Sequence, residues 1–158
     1  LAGGLLKTRM LGAALGIAVL SGLLVASPAQ ARDGVSSGRT NRPSGGDGYA
    51  QVTVDFVSRT KVVFRNFTVR DLCPGDNLPV KARIVYKYTT GTRTWRTLPW
   101  KKDTNGCADR GSNFGNVTLS RSRSISAVTL ELCVYNKKSD FHCVNTTTRH
   151  NQYVHPGR

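Results

Sequence analysis

The chain has 158 residues, with 23 lysines and arginines against nine aspartates and glutamates, and a formal net charge of +14. That is the size of one domain with a core of its own, and so strong a positive charge favours polyanionic partners: nucleic acid, an anionic cell-wall polymer or a membrane surface. No G-x-S-x-G, H-E-x-x-H or P-loop pattern occurs, which removes the common serine-hydrolase, zinc-protease and NTPase classes.

The first 31 residues have the layout of an export signal. Lys7 and Arg9 are followed by an uncharged apolar run, Met10 to Val25, and then by Ala29-Gln30-Ala31, a small-x-small cleavage pattern. The run is shorter than the ~20 residues of a membrane-spanning helix, so cleavage after Ala31 and a secreted, extracellular mature chain are expected, with no transmembrane segment. Without Lys7 and Arg9, 21 cations remain against nine acids, a charge of +12. Arg32 to Gly48 is polar, rich in Gly and Ser, and has one aliphatic residue, Val35. It is expected to be a disordered, basic leader, because it has too little apolar surface to offset the entropy of ordering. A single domain is then expected over 49–158.

From Tyr49 onward the hydrophobic period is two. Val52, Val54 and Phe56 form one alternating strand. Val62 to Val69 forms a second, with apolar residues on both faces. Val80 to Tyr88 is the clearest, with Val80, Ala82, Ile84, Tyr86 and Tyr88 on one face and Lys81, Arg83, Val85 and Lys87 on the other. Thr89 to Thr92 forms a hairpin loop, and the return strand is expected to set Trp95 opposite Tyr86 in the core and Arg96 opposite Val85 on the basic face. Lys101 to Asn116 has no period and contains three glycines, as a long loop would. Val117 to Ser120 is a short strand, and Ser126 to Tyr135 alternates as strongly as Val80 to Tyr88. Asn136 to Asp140 then turns the chain into a return strand, Phe141 to Thr147.

This last hairpin sets Cys133 opposite Cys143 and Tyr135 opposite Phe141, close enough for a disulfide. All four cysteines lie beyond the signal, and an even number in an exported chain implies two bridges. Cys73–Cys107 is the pair that remains after Cys133–Cys143. The fold expected is therefore all-β: an antiparallel β-sandwich, Greek-key or immunoglobulin-like, of seven or eight short strands with two disulfides. The immunoglobulin signature itself is missing, since Cys73 abuts Pro74-Gly75 and Glu131, not a tyrosine, stands two residues before Cys133.

The Ala-rich signal ending in Ala-Gln-Ala, the Gly/Ser leader and the four-cysteine domain resemble the small secreted proteins of actinobacteria. That resemblance implies export and a compact architecture, and it brings no catalytic residue and no ligand with it.

No catalytic site, metal site or cofactor is expected. The basic strand face supplies the candidate site: Lys81, Arg83, Lys87 and Arg96, with Lys101 and Lys102 close in sequence, as a docking surface for an anionic polymer, either cell wall or nucleic acid. Trp100, beside Lys101, is the aromatic best placed to assist. The expected function is non-enzymatic binding at or near the cell envelope by a monomer. One alternative is a small protease inhibitor, presenting Asp109-Arg110-Gly111 on a loop held by Cys107, or an antimicrobial protein. A third is a secreted ribonuclease using His142, His150 and His155 with nearby cations.

Overall fold

A computed structural model describes residues 33–40, 47–72, 79–90, 94–107, 110–136 and 140–154. Among them are eleven strands: β1 (Gly34–Arg39), β2 (Asp47–Phe56), β3 (Lys61–Leu72), β4 (Lys81–Tyr88), β5 (Arg96–Thr97), β6 (Lys101–Lys102), β7 (Ser112–Asn113), β8 (Val117–Ser120), β9 (Ile125–Asn136), β10 (Asp140–Asn145) and β11 (Arg149–His150). They form two antiparallel sheets. The first runs β1-β2-β3, with β7 and β8 both pairing β3. The second runs β10-β9-β4, with β5 and β6 pairing β4 and β11 pairing β9. Among the described residues no helix is long and apolar enough to cross a membrane.

The alternation in the sequence produces the core directly. In β2 every second residue from Gly48 to Phe56 is buried, and the residues between are half-buried. The inner row of the second sheet pairs Ala82 with Leu132, Ile84 with Leu130 and Tyr86 with Val128. These residues pack against Val52, Val54, Phe56, Val62, Phe64 and Leu119 of the first sheet in one continuous core. At Gly48 the two sheets meet closely: a Cβ there would lie 2.7 Å from Val80 Cγ1 and 2.8 Å from Val134 Cγ1.

The second strand of the sequence looked apolar on both faces because it changes phase in the middle. Gln51 pairs with Thr68 and Thr53 with Arg65, so β3 carries one extra residue there. Asn66, at φ 54°, lies in the left-handed region at this bulge, where asparagine is better tolerated than most side chains. The bulge lets Val62 and Phe64 on one side of it, and Phe67 and Val69 on the other, all face the core.

Several expectations are corrected. The stretch taken as a disordered leader carries β1, which pairs along its whole length with β2. Its order comes from hydrogen bonds and not from apolar area. Buried Ser36 donates to the Thr147 carbonyl at 2.6 Å and receives the Thr146 hydroxyl at 2.6 Å. Thr146 Oγ1 in turn accepts the Leu130 N–H at 2.9 Å. The expected seven or eight strands become eleven among the described residues, because the long loop after Lys101 contributes β6 and β7 and the tail contributes β11. Where two disulfides were expected, one is seen among the described residues. Cys133–Cys143 is the bridge present among the described residues, at the register expected from the hairpin. The second pairing rested on elimination, without strand register behind it. Cys107 is not a free thiol, and Cys73 lies outside the described residues. Finally, the β4–β5 register is one residue away from that expected: Arg96 pairs with Tyr86 and Thr97 with Val85.

Substitutions at two positions test this description by urea unfolding. Gly48→Ala should cost about 1–3 kcal/mol, since the methyl group meets two stiff valines. Asn66→Val should cost about 1–2 kcal/mol while Asn66→Gly costs nothing or stabilises; equal losses from both would remove the strained bulge from the account.

Candidate polyanion interface

The outer row of β4 is Lys81, Arg83, Val85 and Lys87. Its cross-strand neighbours on β9 are Cys133, Glu131, Thr129 and Ala127. Directly opposed residues of an antiparallel pair point to the same face, so these residues share the side of the second sheet turned away from the core, although Cys133, Thr129 and Ala127 on it are themselves buried. Arg83 is at its centre. Its Nε donates to Glu131 Oε2 at 2.6 Å.

The slipped register of β5 decides which aromatics join this surface. With Arg96 opposite Tyr86, Trp95 falls on the outer face. It is 41% exposed, and its ring centroid lies 5.2 Å from Lys87 Nζ. Further along, the Leu98 N–H bonds to the Ile84 carbonyl at 2.9 Å and Lys101 pairs with Ala82. Pro99 and Trp100 therefore stand opposite the single residue Arg83, as at a bulge. The Trp100 ring meets Arg83 Cζ at 4.2 Å and Lys81 Nζ at 4.6 Å. Lys81 also lies 5.3 Å from the ring of Tyr135. Cation–π contacts of this kind hold long side chains flat against the sheet. In keeping with that, Val85 on the outer row is only 7% exposed.

Of the six cations expected on this face, four are there. Lys81, Arg83 and Lys87 occupy the row, and Lys102 pairs with Lys81 beside it. Arg96 and Lys101 do not share the face, because they oppose the inward-facing Tyr86 and Ala82. Lys101 instead lies over the ring of Phe114 at 5.3 Å. Trp95, assigned to the core from sequence, was the residue missed. The usable signal was Leu98: aligning that leucine with the core forces Trp95 outward. Trp100, expected beside Lys101, lies instead against Arg83 and Lys81.

Burial, then the nearby charges of Lys102 and Arg83, lower the Lys81 pKa below the ordinary lysine value, with Glu131 opposing. A bound anion would reverse that shift.

The other candidate residues do not converge. His142 pairs with Val134 and His150 with Ala127. Seven positions of β9 separate the two, about 23 Å of strand, and the odd interval puts them on opposite faces. His155 lies outside the described residues. Glu131, Cys133 and Cys143 bring ligand-type atoms within 4.8 Å of one another, but the two sulfurs are bonded to each other and are not thiolate ligands. The base of the Cys107 loop is held by buried Asp103, which accepts the Asp71 N–H at 2.8 Å, the Ser112 hydroxyl at 2.8 Å and the Asn105 N–H at 3.1 Å. Arg110 is exposed at the far side of that loop, and Asp109 lies outside the described residues.

Compared with known proteins, the chain matches no family model, no curated protein and no solved structure.

The Lys81 environment makes a pH prediction. Its contribution to binding an anion is complete below its lowered pKa and is lost as pH rises through it. Binding measured between about pH 7 and 11 at fixed salt should therefore fall at a lower pH than an ordinary lysine would give. Lys81→Arg should move that fall upward, because arginine keeps its charge. An unchanged profile would separate Lys81 from the ligand.

Proposed function

We propose that this protein is a secreted binding protein that holds an anionic polymer of the cell envelope against the outer face of its second sheet. One observation carries this reading: Lys81, Arg83 and Lys87 share that face with the indole rings of Trp95 and Trp100, and the rings lie against the cations. The export-signal layout of the first 31 residues supports the location.

The chemistry divides between two kinds of group. Lysine and arginine neutralise phosphate or carboxylate groups of the polymer and release its counterions, which makes that part of the affinity fall steeply with salt. The indoles offer flat apolar surface to ring units of the polymer, a contact that salt does not screen. Arg83, held by Glu131, positions the Trp100 ring and adds less net charge than the lysines. No bond is broken in this scheme, and no metal or cofactor takes part in it.

Co-sedimentation of the mature protein with purified cell walls across a salt series tests the reading. Wild-type protein should retain a bound fraction at about 1 M salt, where the Debye length is ~3 Å. Trp95→Ala with Trp100→Ala should remove that fraction, with a loss of about 1–3 kcal/mol per ring if base stacking is the measure. Lys81→Gln and Lys87→Gln should each lower the salt slope by about one. Binding that vanishes at moderate salt, or equal binding to RNA-coated beads and to walls, would reduce the interaction to charge alone.

A further inference from the structure

A second cationic site lies at one end of the sandwich, away from the outer sheet face. Its floor is the last part of the inner row of β4. Tyr86 and Tyr88 meet there edge to face, with ring centroids 5.6 Å apart. Arg121, at the end of β8 in the first sheet, reaches across to Tyr86 in the second. Its Nε donates to the Tyr86 hydroxyl at 3.1 Å, and its Nη1 donates to the Ser120 carbonyl at 2.9 Å. Two residues on, the Arg123 guanidinium lies 4.7 Å from the ring centroid of Tyr88 and donates to the Thr90 carbonyl. Arg96 is on the same side of the sheet, since the β5 register sets it directly opposite Tyr86. All three arginines are exposed.

Among the described residues no acid forms an ion pair with this cluster, and the side-chain ion pairs lie elsewhere, at Arg39–Asp47, Arg65–Asp55 and Arg83–Glu131. An anion placed among these exposed arginines would be attracted by each of them. The guanidinium fork matches the oxygens of a tetrahedral oxyanion, and a doubly charged one can engage more than one arginine. The phenols favour the same ligand. Burial, then its hydrogen bond with Tyr86, pushes the Tyr88 ionisation upward, so its hydroxyl stays protonated and adds no negative charge beside the arginines. The Tyr86 hydroxyl raises the already high Arg121 pKa further.

We propose that Arg96, Arg121 and Arg123, set around Tyr86 and Tyr88, form a site for a doubly charged tetrahedral oxyanion, either free phosphate or the phosphate monoester at the end of a chain. This site is independent of the outer-face reading. Because Arg121 links the two sheets through a core tyrosine, filling the site should clamp the Arg121–Ser124 turn onto the end of β4 and stabilise the whole fold.

Thermal unfolding of the mature protein, with sodium phosphate against sodium chloride at matched ionic strength, tests this. Phosphate should raise Tm above the chloride control, with saturation. Methyl phosphate is the second probe: an equal rise assigns the site to a chain-end monoester, and a rise with inorganic phosphate alone assigns it to the free anion. Arg121→Gln and Arg123→Gln should each weaken phosphate binding about tenfold or more, the size expected for losing a hydrogen bond to a charged group. If Arg121→Gln fails to fold, Arg96→Gln with Arg123→Gln carries the same test, since both side chains are exposed. The proposal is overturned if chloride matches phosphate, or if the phosphate effect survives in the arginine variants. It is also overturned if Lys81→Gln with Lys87→Gln abolishes the effect, because the anion would then belong to the outer face.

Discussion

The register of β4 against β9 is the constraint from which the rest of the structure follows. Three inward pairs, Ala82 with Leu132, Ile84 with Leu130 and Tyr86 with Val128, define it. Side chains alternate strictly along a strand, so a slip of one residue would put Lys81, Arg83 and Lys87 into the core and the aliphatic row into water. Burying three cations without partners would cost far more than any alternative pairing could return. The same hydrophobic row that builds the core therefore also decides that these cations face outward. The neighbouring strands inherit this choice. Cys143 meets Cys133, and Glu131 meets Arg83, because β9 is already in place.

The seam between the sheets is made of different chemistry. On the β1 side it consists of hydroxyls and carbonyls: Ser36, Thr129 and Thr146 exchange hydrogen bonds with one another and with the backbone. Close to the β2–β3 turn, Asn151 donates to the carbonyls of Ser58 and Ile125 at 3.0 Å and 2.9 Å and accepts the Tyr153 N–H at 2.9 Å. Buried polar groups satisfied in this way specify one geometry where apolar contacts would tolerate several. At the end of the sandwich carrying Arg121 the join combines the guanidinium–phenol bond with the Thr89 N–H donating to the Ser124 carbonyl at 3.0 Å and Arg123 donating to the Thr90 carbonyl.

How much of this was legible in the sequence depended on whether apolar residues carried the signal. β4, β9 and the Cys133–Cys143 hairpin alternate cleanly, and their register could be read from the pattern. β1 could not, because Gly34 to Arg39 has a single aliphatic residue and is held by Ser36, whose burial depends on Thr146 and Thr147 far along the chain. The bulge at Asn66 was visible only as a loss of alternation in Val62 to Val69. Trp95 was misplaced because tryptophan is large and apolar and was given the core in preference to Leu98. On the outer face it covers a lysine stem, a use of an aromatic that composition alone does not distinguish from burial. That error also placed Arg96 on the wrong side and hid its proximity to Tyr86.

The bond between Ser36 and Thr146 joins residues 110 positions apart. A chain closed by contacts this distant folds slowly, because a long segment must be ordered before the contact is made. Until the segment around Thr146 is available, β1 has no partner for its buried hydroxyl and the seam stays open.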